Sequence, residues 1–348
     1  MKPFKTYIIA EAGVNHNGDL DLAKKLVAIA ARCGCNAIKF QTFRAEKVVS
    51  IGAPKCDYQV VTTGSEESQF GMIRKLELDE AAHVELMHVA KDEGIDFGST
   101  PFDEESATML ASLGVKYIKL PSGEITNLPF FSHVAHLQTP IILSTGMAYL
   151  SEVDEAVRTI QDVWQDSPPK GNLPPLTLLH CLTQYPAPVE EVNLMAMVTL
   201  REAFKVPAGY SDHTPGIEVA MAAVALGATV IEKHITLDKT LPGPDHRASL
   251  EPHELERLVQ GIQNIEAALG NGSKVPAPSE LKNRELARKS LVTIRDLKAG
   301  HRITPEDLMA KRPGNGISPG HKALVTGSVL QKDIEQDTPL SWEYLLGR

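Results

Sequence analysis

Short apolar runs and longer amphipathic stretches alternate along this chain as far as residue 270. The first run, residues 7–13, closes on Glu-Ala-Gly. After a polar Asn-His-Asn-Gly-Asp, the side chains Leu22, Leu26, Ile29 and Cys33 share one helical face; this is the spacing of strand, loop and helix. The unit recurs, with further strands predicted at 37–41, 96–101, 117–122, 140–145, 176–183, 207–213 and 230–236. Caps and stops place helices between them: Asp79 to Gly94, Asp103 to Gly114, residues 129–137, a start at Ser151 and Asp154, a start at Asn193, residues 216–227, and Pro252 to just before Gly270. Eight strand patterns alternating with eight helical ones predict a (β/α)8 (TIM) barrel over residues 1–270. An open doubly wound sheet is the competing arrangement, but no GxGxxG follows the first strand. Residues 42–78 form a long polar excursion out of this rhythm, as functional loops do.

Beyond residue 270 the pattern changes. Residues 271–284, with Gly272, Pro276 and Pro278, read as a linker, and 285–348 as a small β-rich domain. Its apolar runs are short (291–294, 323–325), and one helical turn is capped by Thr304 and started by Pro305. A unit of that size has little core and is expected to pack against a barrel. Its most polar loop, residues 311–320, contains Arg312.

Composition adds exclusions. With 44 acidic and 35 basic side chains among 348 residues, the net charge is -9. That field repels nucleic acid, so any bound phosphate needs a local cation cluster. Four cysteines are too few for a disulfide framework, and the pair Cys33 and Cys35 has no second pair at zinc-finger spacing. No membrane-spanning run and no signal-like pattern in residues 1–14 is evident, and the expectation is a soluble, cytoplasmic protein.

A barrel keeps its chemistry at the carboxyl ends of its strands. The predicted ends carry Glu11, Lys39, Gln41, Thr100, Lys119, Ser122, Ser144, Thr145, Ser211, His213, Glu232 and His234. Alternate residues of a strand share a face, so Lys39 aligns with Gln41, Ser211 with His213 and Glu232 with His234, while Lys233 points the other way. His213 and His234 on adjacent strands, with Glu11 beside them if the barrel closes, are candidate ligands for a divalent ion acting as Lewis acid. Lys39 and Lys119, with the Ser144 and Ser211 hydroxyls, can cradle phosphate or carboxylate; the structural alternative pairs the lysines with Glu11, Glu124 or Glu232. His16, Asn17 and Gly18 serve either a turn or a substrate. Glu124 is either a helix-capping acid or a contact for a polar substrate. Tyr185 beyond the sixth strand suits packing, and Asp245 and His246 lie on a loop able to close over the rim.

The motifs IAEAGVNHNGD, IKFQTF, STPFDEES, IKLPSGEITN, ILSTGM, GYSDHTPG, IEKHITLD, PGPDHRASLEP and KRPGNGISP, taken in order, resemble the sialic acid synthase family over nearly the whole chain, including a C-terminal antifreeze-like (SAF) domain. The resemblance implies a phosphoenolpyruvate-dependent condensation with an N-acetylated amino sugar. It assigns Glu11, His213 and His234 to a divalent metal, Mn2+ or Mg2+; Lys39, Thr100, Lys119, Ser144 and Ser211 to phosphoenolpyruvate; and Gln41, Glu124, Tyr185 and Asp245 to the sugar. Glu124 is the residue expected to transfer a proton or orient the sugar. Arg312 is expected to reach the site of the other subunit in a domain-swapped homodimer. The acceptor expected is N-acetylmannosamine, giving N-acetylneuraminate; the alternative is a diacetamido trideoxyhexose, giving a legionaminic acid. PGPDHRASLEP points away from the pseudaminic acid branch, and a sugar-phosphate acceptor would need a further basic cluster. A reading from another class, a non-catalytic glycan-binding protein, leaves the intact acid, lysine and histidine set without a purpose.

Overall fold

The computed structural model describes residues 5–64, 66–165 and 167–346, with only the backbone given for residues 57 and 58. The chain divides into two compact units, Met1–Asn271 and Gly272–Arg348. In the first, eight parallel strands close into a barrel in sequence order: β1 (Tyr7–Gly13), β2 (Ala37–Thr42), β3 (Asp96–Pro101), β4 (Ile118–Leu120), β5 (Ile141–Ser144), β6 (Leu176–Cys181), β7 (Ala208–Asp212) and β8 (Val230–His234). β8 pairs with β1, setting Glu11 against His234, and β1 pairs with β2, setting Glu11 against Lys39.

The amphipathic stretches form the outer helices, whose apolar faces carry residues such as Leu26, Leu86, Leu110, Val134, Ile160 and Leu255 into the layer between helices and strands. Their ends follow local chemistry. Asp103 Oδ1 accepts the Ser106 N–H at 2.9 Å, and Gly94 and Gly114 end their helices at φ +75° and +78°, a conformation a Cβ disfavours. Two predicted starts are displaced. The helix expected at Ser151 begins at Leu150, because the Glu152 carboxylate accepts the N–H of Tyr149 at 2.7 Å and closes the first turn one residue early. Asn193 adopts φ +47°, and the helix starts beyond it, at Met195.

Inside the barrel, strand alternation produces layers. Ile9, Ala37, Tyr117, Ile142, Leu179 and Val230 form an apolar plug at the amino-terminal end. Two residues further along the same strands, facing the same way, stand Glu11, Lys39, Lys119, Ser144, Cys181 and Glu232, all buried. Lys233 and Asp212 face outward; they pair at 2.8 Å with neither side chain exposed, and Lys233 also donates to the Thr214 carbonyl.

The excursion 42–78 is not simply polar. It folds into three short helices, Ala45–Val48, Asp57–Thr63 and Gln69–Arg74. The stretch read as a linker is helical over Pro278–Ala287, with no buried residue. Pro278 occupies the first turn, where a missing N–H costs nothing, and Glu280 accepts the Ala277 N–H at 2.8 Å. In the second unit β9 (Ser290–Thr293) pairs antiparallel with β10 (Leu308–Lys311), and β11 (Val329–Leu330) with β12 (Leu345–Leu346). A core around Leu291, Ile303, Leu308, Val325 and Leu340 fills it. Asp307, nearly inaccessible, receives Arg295, His301 and the Thr304 N–H, so its carboxyl stays well below the usual range although burial alone would raise it. No helix of the described residues is long and apolar enough to cross a membrane.

Gly98 admits the fully buried Tyr117 ring: a Cβ there would stand 2.3 Å from Tyr117 Cζ and 2.4 Å from its hydroxyl. Gly98→Ala is therefore expected to destabilise the barrel by about 1–3 kcal/mol through overpacking. A lower urea midpoint by circular dichroism checks it; an unchanged midpoint would mean that Tyr117 is free to move.

Candidate active site

The strand ends and the excursion enclose a cavity of about 560 Å3. Its floor carries a compact set of charges. Lys39 Nζ lies 2.6 Å from Glu11 Oε2, without an aligned hydrogen bond, and donates to Thr100 Oγ1 at 2.7 Å. Lys39 is also 3.9 Å from Glu232 Oε2, and Lys119 is 3.4 Å from Glu232 Oε1, which accepts the Ser211 hydroxyl at 3.0 Å. Two cations and two carboxylates thus share a nearly inaccessible site, where each charge needs the others.

Burial pushes the Glu11 carboxyl upward toward neutrality, against the pull of Lys39 and with the help of Glu232. Burial would raise Glu232 as well, but Lys119 and Lys39 together hold it below the ordinary range. Burial depresses Lys119, partly offset by Glu232. Asp245, on the loop after β8, is pushed up to about 6 by burial.

Above the charges sit the imidazoles, with ring centroids 5.5 Å apart. His213 Nδ1 is held by the Leu182 carbonyl at 2.7 Å, which fixes the tautomer and leaves the lone pair on Nε2. Burial pushes His213 down to about 4, and burial with the neighbouring His213 pushes His234 well below its usual value. Both are therefore neutral, as metal-ligating imidazoles must be. His234 Nδ1 is buried without a hydrogen-bond partner. Tyr185 packs on His213 with centroids 4.1 Å apart and meets His234 edge-on at 5.6 Å.

Most of the residues singled out from the sequence line this cavity: Glu11, Lys39, Gln41, Thr100, Lys119, Ser144, Tyr185, Ser211, His213, His234 and Asp245. Ser144 Oγ is buried there with no protein partner. Three of the expected assignments stand apart from this set. Among the described residues no group of three His, Cys, Asp or Glu is arranged to hold a metal ion. The two imidazoles fit a divalent ion, whereas Glu11 is committed to Lys39; an ion here would complete its shell with oxygens from substrate or water, as small divalent ions commonly do. Glu124 does not line the cavity: it ends the short turn Ser122–Glu124 and accepts the Asn127 amide at 2.7 Å, beside lining Gly123. Arg312 is exposed in the second unit.

Residues 15–18 clasp the rim. Asn15 donates to the Ile235 carbonyl and Ser249, Asn17 donates to the Pro242 carbonyl, and His246 bonds both Thr236 (2.6 Å) and Asn17 (3.3 Å). The first loop thereby pins the segment that delivers Asp245. Cys181, 3.1 Å from the Ser122 hydroxyl, and Glu232 also line the cavity. Strand parity with Leu179 and His234 was the sequence signal for both. Phe43, Met72, Ile73 and Leu76 enter from the excursion, and the signal for the last three was helical spacing inside a stretch read as polar.

Residues 26–274 match the NeuB family and residues 288–346 the SAF domain. The chain is 52% identical over 333 residues to the N,N'-diacetyllegionaminic acid synthase of Campylobacter jejuni subsp. jejuni serotype O:2, covering 96% of this chain and 98% of that protein. It is 48% identical over 339 residues to the enzyme of the same name from Legionella pneumophila, covering 97% and 94%. The crystal structure of an N-acetylneuraminic acid (sialic acid) synthetase from Leptospira borgpetersenii serovar Hardjo-bovis in complex with citrate superposes with a TM-score of 0.69 at 35% identity, covering 80% of this chain and 90% of that one. With its closed eight-stranded barrel and SAF domain, the chain belongs to the NeuB family of sialic acid-type synthases.

Proposed function

We propose that this chain condenses phosphoenolpyruvate with a 2,4-diacetamido-2,4,6-trideoxyhexose, giving an N,N'-diacetyllegionaminic acid and phosphate. The observation that carries the chemistry is one rim on which two buried lysines adjoin two neutral imidazoles. The extensive identity to two diacetyllegionaminic acid synthases moves the acceptor from N-acetylmannosamine, the first expectation, to the diacetamido sugar.

Lys39 and Lys119 meet the charge of phosphoenolpyruvate, and the unpartnered Ser144 hydroxyl and Ser211 supply donors to its oxygens. A divalent ion, manganese or magnesium, held by His213 and His234 would polarise the acceptor aldehyde as a Lewis acid. The cavity aligns C3 of phosphoenolpyruvate with the aldehyde carbon; as the C–C bond forms, the aldehyde oxygen gains a proton. Water then adds at C2, and the tetrahedral intermediate loses phosphate by C–O cleavage. Glu11 replaces Glu124 as the proton carrier, because it lies on the cavity floor with a carboxyl raised toward neutrality. Gln41 and Asp245 offer hydrogen bonds to sugar hydroxyls, and Tyr185 backs the imidazoles. In a homodimer with exchanged C-terminal domains, the exposed Arg312 would complete the partner's site.

Phosphate release from phosphoenolpyruvate is expected only when the diacetamido sugar and a divalent ion are both present, with activity lost to a chelator and restored by Mn2+ or Mg2+. No release with any acetamido sugar would sink the synthase reading. Glu11→Gln is expected to lower kcat about 10^2–10^4-fold, the usual worth of a general acid, while phosphoenolpyruvate KM does not rise, since Lys39 loses a competing carboxylate; full turnover would remove Glu11 from the mechanism. Mixed dimers of Arg312→Ala and Lys119→Ala chains are expected to regain activity, since one site of each hybrid keeps both residues. Confirmed mixing without rescue counts against the exchange.

A further inference from the structure

The excursion supplies the cavity wall opposite the strand ends, and that wall has a chemistry of its own. In and just after the helix Gln69–Arg74, residues 69, 72, 73 and 76 recur at i, i+3, i+4 and i+7, so Gln69, Met72, Ile73 and Leu76 present one face, and all four line the cavity. Leu76 packs with Val14 and Phe43, with Ile73 and Phe102 against them, and Phe43 meets Phe102 edge-on at 5.9 Å. This is a fixed apolar surface. Among the described residues, no charged side chain of the excursion lines the cavity. Its lysines are engaged elsewhere: Lys47 with Glu105, Lys55 with Thr63 and Lys75 with Glu67.

The polar element of this face is a pair of amides. Gln69 Nε2 donates to Gln59 Oε1 at 3.4 Å, and the same oxygen accepts the Cys56 N–H at 3.1 Å. Among the described residues nothing pairs with the Gln69 carbonyl or the Gln59 NH2, which leaves an acceptor beside N–H donors, the complement of an acetamido group.

We propose that Gln59, Gln69, Met72, Ile73 and Leu76 select the acceptor at the end remote from its aldehyde. The aldehyde is fixed at the strand ends by the reading above, on which this inference rests, so the far carbons of the sugar face the excursion. The apolar residues take the C6 methyl group, and the two amides take the C4 acetamido group. A C6 phosphate finds no cation on this wall, and a C6 hydroxyl finds only apolar atoms on Met72, Ile73 and Leu76.

The test is kcat/KM for the diacetamido trideoxyhexose and for N-acetylmannosamine, with phosphoenolpyruvate KM measured alongside, in the wild-type chain, Gln69→Leu and Met72→Ser. An apolar site rejects an added hydroxyl by only about 10^2-fold, whereas amides left unpaired reject more strongly. The wild type is expected to prefer the diacetamido sugar by 10^2-fold or more. Gln69→Leu is expected to lose at least tenfold on that sugar while N-acetylmannosamine stays within about threefold, and Met72→Ser to narrow the preference about tenfold. Phosphoenolpyruvate KM stays constant in both. Equal losses on the two sugars, or an unchanged preference in both variants, would overturn the wall while leaving the acceptor reading intact. A wild-type preference for N-acetylmannosamine would overturn the acceptor reading, and the wall with it.

Discussion

The structure turns on the burial of four charges in the barrel's interior. Lys39, Glu11, Glu232 and Lys119 are almost wholly removed from water, and each unpaired charge there would cost several kcal/mol. They persist because strand pairing brings opposite signs together: Glu11 opposite Lys39 across β1 and β2, and Glu232 on β8 within reach of both lysines. Such a set is neutral overall, and an anion placed among the lysines would compete with the carboxylates for them.

Everything around it fixes or screens that set. The apolar plug below closes the far end, and Tyr117, made possible by Gly98, is part of it. On the outer face of the same strands, Lys233 and Asp212 form a second buried pair, tied to Thr214 directly after His213. The backbone carrying both imidazoles is thereby braced from behind, while Leu182 sets the His213 ring from the side. The clasp between residues 15–17 and the loop after β8 does the same for Asp245, whose raised pKa records how little water reaches it.

The excursion has the opposite character. Among the described residues it brings no charge to the cavity, and it covers the charged floor with methionine, leucine, isoleucine and phenylalanine. A low-dielectric cover strengthens the electrostatics beneath it. The cavity thus has a charged end at the strand ends and a largely apolar end, with two amides, under the excursion.

Strand and helix periods that alternate eight times, with caps marking many of the turns, were enough to specify the barrel. The sequence by itself also determined most of the floor: parity along β1, β2, β7 and β8 puts Glu11, Lys39, Ser211, His213 and His234 on the inner face whatever the rest of the chain does. Only tertiary structure decided how those residues share their charges. That Glu11 belongs to Lys39 depends on the β1 to β2 register, and that Glu232 serves two lysines depends on closure of the barrel; neither is a local property. Glu124 shows the converse, since a strand-end position does not reveal that the nearby Asn127 amide engages the carboxylate. The wall formed by Gln69, Met72, Ile73 and Leu76 was written in the sequence as a helical face, but only the fold of residues 42–78 over the barrel mouth gave that face something to look at.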